Sequence, residues 1–256
     1  MALYTAGPPW QELDDRSICT TIAFVNPAIP APHSSAPSNA ASLASAEGSG
    51  TTSSASARHH LLDCGERLVA RKGFVGVGLA EILATAGVPK GSFYHYFASK
   101  ERFGEALLMR YTATYLEQLD RLLRADGTPA RVRLMRYWSH WNVSQCDSAA
   151  PECGPESTGK CLIVKLSAEV ADISEAMRLA LRDGTEQVVQ RIADCIEEGR
   201  ADGSLPTALP PHDTALTLYQ LWLGASLLAK LRRDGSALDH ALRSTERLLG
   251  TAPPPS

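Results

Sequence analysis

The chain has 256 residues, 44% of them apolar, which is enough to bury a sizeable core. A formal charge of -3 excludes a generally basic, histone-like binder, so any nucleic-acid contact must come from a local basic surface. Six cysteines without a CxxC pair argue against a disulfide scaffold and for a reduced, cytoplasmic protein.

The first residues, MALYTAGPPWQELDD, show neither the basic start nor the apolar block of a signal peptide. No apolar run approaches the roughly 18 residues of a membrane span. The sequon Asn142-Val143-Ser144 therefore reads as chance. Residues 27–57 are mostly Ala, Ser, Pro and Thr with almost no charge, too little apolar surface to offset ordering entropy, so 1–57 is expected to be a disordered arm.

From Arg58 the character changes. Leu61, Leu62, Leu68 and Val69 recur at helical spacing, and Gly73 supplies a stop. Residues 79–86 predict a second helix, Gly87-Val88 a tight turn and 89–97 a third helix. Ser99 is placed to cap a longer fourth helix to about residue 123, with Glu101 in its first turn. Another helix follows 127–129 and runs to about 143, after which 145–160 is a Pro/Gly/Ser-rich loop. Residues 161–172 read as an apolar helix, Ser174 as the cap of a long helix to about 202, and 203–211 as a Gly/Pro break. A helix from Pro211 is apolar nearly all round, and a last one spans 236–249 before a fraying tail at 251–256. No strand or repeat is visible, so the predicted class is all-α, with one helical unit at 58–105 and a second at 106–250.

A helix-turn-helix needs a small residue between two helices, then a second helix whose N-terminal end is exposed to the major groove. Ala86-Gly87-Val88 followed by PKGSFYHYF meets that requirement. Phe93 and Phe97, four apart, should face inward and leave Lys90, Gly91, Ser92, Tyr94, His95 and Tyr96 to DNA. Lys90 and the helix-start amides suit phosphate, Ser92 and His95 suit base edges, and Tyr94, Tyr96 and Lys100 suit phosphate positioning. Between Arg58 and Arg102 seven Lys/Arg face four Asp/Glu, a local basic excess in an acidic chain. A solvated helical bundle would show a similar excess, but four aromatics in nine residues are a poor choice for an ordinary surface.

The segment RLVARKGFVGVGLAEILATAGVPKGSFYHYFASKERF resembles the signature of the TetR/AcrR family of transcriptional regulators, notably at Gly73-Phe74, Ala86-Gly87-Val88, Gly91-Ser92-Phe93-Tyr94, Phe97 and Ser99-Lys100-Glu101. The resemblance implies a repressor with an N-terminal DNA-reading unit and a C-terminal ligand-responsive unit. The family usually has Thr or Ser at the start of the second helix, whereas this chain has Gly78-Leu79 and so lacks a capping hydroxyl there.

The resemblance also implies that the last two helices pair with their twins. Leu216, Leu218, Leu221, Trp222, Leu223, Leu227 and Leu228 support a homodimer independently, because they exceed what one face of a monomer buries, and Gly224 and Ala225 permit close helix approach. Two recognition helices about one DNA turn (~34 Å) apart would read a palindromic operator.

GKCLIVKLSAEVADISEAMR and LWLGASLLAK resemble the subgroup of these repressors that respond to electrophiles, reactive carbonyls or small unsaturated acids such as acrylate. In that subgroup the sensing residue corresponds to Cys161, with a lysine corresponding to Lys230 close by. A helix N-terminus and an ammonium both favour thiolate, the form that attacks electrophiles or is oxidised. The plainer role of Cys161 is that of a small buried hydrophobe. Non-covalent binding of a small carboxylate, with Lys230 or Lys165 as charge partner, is the alternative inducer chemistry.

Cys64 and Cys195 sit at core spacing, and Cys146 and Cys153 lie in the loop as resolving or merely exposed thiols. The spacings of His140, Cys146, Cys153 and Cys161 match no compact zinc motif, so no metal and no cofactor is expected. An enzyme using Cys161 as nucleophile lacks a visible Cys-His or Ser-His-Asp pairing, and His140 and His212 read as surface residues.

Overall fold

The computed structural model describes residues 50–145 and 162–250. Among them the chain is all-α, with nine helices: α1 (Gly50–Lys72), α2 (Leu79–Ala86), α3 (Lys90–Tyr96), α4 (Lys100–Leu122), α5 (Ala130–Ser144), α6 (Leu162–Ala171), α7 (Glu175–Ala201), α8 (Pro211–Arg232) and α9 (Ser236–Leu248). Helix ends follow local signals. Ser99 Oγ accepts the Arg102 N–H at 3.2 Å and Ser174 Oγ accepts the Met177 N–H at 3.3 Å, each satisfying a donor that the first turn leaves unpaired. Pro211 opens α8, where its missing N–H costs nothing.

One boundary differs from expectation. Helix α1 begins at Gly50, inside the segment expected to be an arm. Once the buried half of α1 is nucleated by packing, extending it through a Ser/Ala-rich stretch costs little per residue. At the start of the expected helix, the Arg58 guanidinium lies 5.2 Å from the Phe97 ring centre.

Two apolar cores run through the molecule. The first joins α1, α2 and α3 to the N-terminal half of α4, and it includes Leu162, Ile163, Leu166 and Val170 of α6 with Met177 and Leu181 of α7. The second fills the space between the C-terminal half of α4, α5, α7, α8 and α9, with Trp138 and Trp222 stacked at 5.2 Å. Helices α4 and α7 therefore serve both cores, and α6 belongs to the core of the N-terminal unit.

Buried Arg133 ties the ends of the second core together. It donates to the carbonyls of Thr128 and Leu123 and to Glu198 at 2.6 Å. Burial works against its charge, but Glu198 and the neighbouring acids outweigh that cost and its pKa is raised. No helix among the described residues is long and apolar enough to cross a membrane.

Candidate nucleic-acid interface

Helices α2 and α3 are joined by Gly87, whose φ of 64° is the left-handed conformation that closes α2; the Val88 N–H then returns to the Leu83 carbonyl at 3.1 Å. The start of α2 has Gly78 as its cap, with no side-chain hydrogen bond, in keeping with the missing hydroxyl. His60 Nε2 lies 3.2 Å from the Ala86 carbonyl and so ties α1 to the end of α2.

Helix α3 is held by one face. Phe93 is fully buried and Phe97 nearly so, and both rings meet Phe103 of α4, at 5.5 and 5.1 Å between centroids. Burying a ring of that size contributes about 1.5–3 kcal/mol. The opposite face is open: Lys90, Gly91, Tyr94 and His95 are exposed, while Ser92 and Tyr96 are half-buried at its edge. Lys90 Nζ lies 5.9 Å from the Tyr94 ring centre, and His95 packs edge-on against Tyr96 at 4.9 Å. A cation, a hydroxyl, an imidazole and two phenols thus share one surface, a donor-rich set suited to phosphate oxygens and base edges.

Lys100, expected to contact phosphate, is half-buried beside the loop between α1 and α2. Its ammonium donates to the Phe74 carbonyl at 2.9 Å and sits 4.5 Å from the Phe74 ring centre, bracing the loop between α1 and α2. Lys165, expected as the charge partner of a ligand carboxylate, lies against the end of α1. Its Nζ donates to the carbonyls of Ala70 and Arg71, each at 2.6 Å, because the end of α1 presents unpaired carbonyls directly to α6. Both lysines are drawn to backbone acceptors that no local pattern announces.

Cys161, Cys146 and Cys153 lie outside the described residues. The segment that Cys161 leads into is well anchored: α6 starts at the next residue, and the Leu162 N–H donates to Tyr111 Oη of α4 at 3.3 Å. Lys230 is exposed in the last turn of α8. Cys64 and Cys195 are buried, as their spacing predicts, and burial pushes the Cys195 thiol up to about 12.

His140 is half-buried rather than a surface residue. Gln118 Nε2 donates to its Nε2 at 2.8 Å, and burial lowers its pKa. With Tyr115 and Tyr137, whose hydroxyls are 2.8 Å apart, it forms a polar seam between α4 and α5 that sequence reasoning missed. Glu169 was missed as well. Its carboxylate accepts the Phe74 and Val75 N–H groups from 95 and 94 residues away in sequence, and nothing local marks it.

Two family models match the chain: Bacterial regulatory proteins, tetR family, over residues 61–107, and Tetracyclin repressor-like, C-terminal domain, over residues 146–245. The HTH-type transcriptional repressor NemR of Escherichia coli (strain K12) is 42% identical over 194 residues, covering 76% of this chain and 94% of that protein. The transcriptional regulator AcuR of Cereibacter sphaeroides is 33% identical, covering 68% of this chain and 77% of its own. The crystal structure of the reduced form of E. coli NemR superposes with a TM-score of 0.70 at 42% identity, over 78% of this chain and 100% of that one. A helix-turn-helix locked by three phenylalanines, joined to a helical C-terminal unit and matched along both, has one reading: the chain belongs to the TetR family and is a DNA-binding transcriptional repressor of that type.

Proposed function

We propose that this repressor binds a palindromic operator as a homodimer, and that a small electrophile or oxidant reacting at Cys161 releases it. The observation that carries the DNA half is the two-faced α3, with Phe93 and Phe97 fixed in the core and Lys90, Gly91, Tyr94 and His95 left open. Lys90, Ser92 and His95 contact DNA first, Tyr94 and Tyr96 position it, and Lys100 retains donor capacity for a flanking phosphate.

Dimerisation fits the outer side of α8, where Leu216, Leu227, Leu228 and Leu231 are all exposed around Gly224, whose Cβ position faces open space. Exposed apolar side chains gathered on one helix face suit association with a second copy.

The thiol reading draws support from position and likeness. Cys161 immediately precedes α6, which is packed into the core of the DNA-reading unit, and the relatives include a repressor whose crystal structure is described as a reduced form. Modification there biases the dimer toward a spacing of recognition helices that no longer fits the operator. In the alternative chemistry, non-covalent capture of a small carboxylate, the charge partner is Lys230, since Lys165 is engaged with α1.

The test begins with a duplex selected from a random library by the full-length wild-type protein, followed by footprinting with and without N-ethylmaleimide. The expected result is a two-fold symmetric footprint that N-ethylmaleimide erases in wild type and leaves in Cys161→Ser. Release of Cys161→Ser to the wild-type extent would overturn the thiol reading, and an asymmetric footprint on a single half-site would overturn the dimer.

A further inference from the structure

Helix α6 does more than pack against the DNA-reading unit; it grips one loop of it with two side chains a helical turn apart. Lys165 Nζ takes the carbonyls of Ala70 and Arg71, which the last turn of α1 leaves without helical partners. A cation at that end is also favoured by the helix dipole. Four residues on, Glu169 accepts the Phe74 N–H at 3.1 Å and the Val75 N–H with its other oxygen.

The grip has a steric requirement. Gly73 has a φ of 81°, and a Cβ placed on it would lie 2.8 Å from Glu169 Oε2. Only glycine lets the carboxylate come so close. On the far side Lys100, the first residue of α4, holds the Phe74 carbonyl, and the Phe74 ring is buried in the core that contains Phe93, Phe97 and Phe103. The loop at 73–75 is thus fastened to α6 by the N–H groups of Phe74 and Val75, to α4 by the Phe74 carbonyl and to the seat of α3 by the Phe74 ring.

We propose that Lys165 and Glu169 are positioning residues that couple α6 to the recognition helix through the loop at 73–75. The apolar contacts of α6 are non-directional and would let it slide over α1, whereas charge-assisted hydrogen bonds at both ends of the α1 terminus fix its register. A displacement of α6 then moves α1 and α2 with it. Binding coupling is reciprocal, so DNA that immobilises α3 is also felt at α6. Only the inducer arm of the test rests on the thiol reading given above.

The experiment uses the full-length chain and the selected duplex, reading amide hydrogen exchange over 73–75 and 162–171 with and without DNA. Wild type, Glu169→Ala, Lys165→Met and the conservative Lys165→Arg are compared. In wild type the duplex slows exchange in α6. In Glu169→Ala and Lys165→Met that response is lost while duplex affinity stays within about threefold, well under the roughly 5–150-fold of typical allosteric coupling, and Lys165→Arg restores it.

With N-ethylmaleimide, wild type loses affinity by a factor in that coupling range and Glu169→Ala by less than about threefold. An α6 response in Glu169→Ala equal to wild type, or none in wild type, overturns the proposal. So does a loss of affinity that merely follows a lowered melting temperature. If N-ethylmaleimide fails to release wild type, the thiol reading falls, and the DNA arm alone still decides the coupling.

Discussion

Phe93 of the recognition helix packs against Phe103 of α4 with ring centroids 5.5 Å apart and planes inclined at 47°. With Phe97 they form a three-ring wedge that sets the pose of α3, while Tyr94 and His95 between them are exposed. Pose and proposed DNA contact therefore reside in different residues of one short helix, and mutation should separate them. Phe93→Ala is expected to lose about 3–5 kcal/mol of stability by chemical denaturation, and DNA binding with it. Lys90→Ala should leave stability unchanged, weaken binding to all duplexes alike and reduce the slope of log affinity against log salt by about 1. A Lys90→Ala protein whose salt slope matches wild type would remove Lys90 from the phosphate contacts.

Two glycines with left-handed φ offer a matched comparison. At Gly87 a Cβ would meet nothing within 4 Å, so Gly87→Ala carries only the backbone cost of about 1–2 kcal/mol. At Gly73 the added methyl also displaces the Glu169 carboxylate. Gly73→Ala should therefore destabilise more than Gly87→Ala, and in a Glu169→Ala background the two should become equal. Thermal melts of the four proteins measure the difference.

His140 should make stability pH-dependent. Burial lowers its pKa below the ordinary 6.5, so the unfolded chain takes up a proton before the folded one does. The stability present above pH 6.5 is then lost as pH falls through the folded value. His140→Gln should flatten that part of the profile, read from melting temperatures between pH 7.5 and 5 on the scale of ordinary histidine titration, roughly. An unchanged slope would mean that other groups govern it.

The buried thiols should be silent in the native protein. Cys195 is pushed up to about 12 by burial, and Cys64 is enclosed at 1% exposure with the Arg67 guanidinium 3.3 Å from its sulfur. Brief N-ethylmaleimide treatment near neutral pH, followed by peptide mass spectrometry, should label neither until denaturant is added. Native labelling of Cys195 would show that the second core opens on the timescale of the reaction.

Trp222 Nε1 donates to Thr245 Oγ1 at 2.9 Å inside the second core, joining α8 to α9. Thr245→Val keeps the shape but strands the indole N–H, at a cost of about 1–3 kcal/mol. Because both helices border the proposed dimer face, sedimentation at decreasing concentration should show weaker association in that variant.

The helices, their order and the buried and open faces of α3 were legible in the sequence because their causes are local. Gly73 and Gly87 end helices through their own φ, Ser99 and Ser174 cap from their own side chains, and Phe93 and Phe97 share a face by spacing alone. The extension of α1 to Gly50 was not legible, since no apolar stripe marks residues 50–57. The destinations of the lysines were settled only by the tertiary structure. Lys165 and Lys100 carry the same charge as Lys90, yet each finds backbone carbonyls from a distant part of the chain, and Glu169 meets the N–H of Val75 across 94 residues. A long polar side chain has no spacing rule that names its partner; packing brings the unpaired backbone of the α1 terminus to α6, and the charges follow it there.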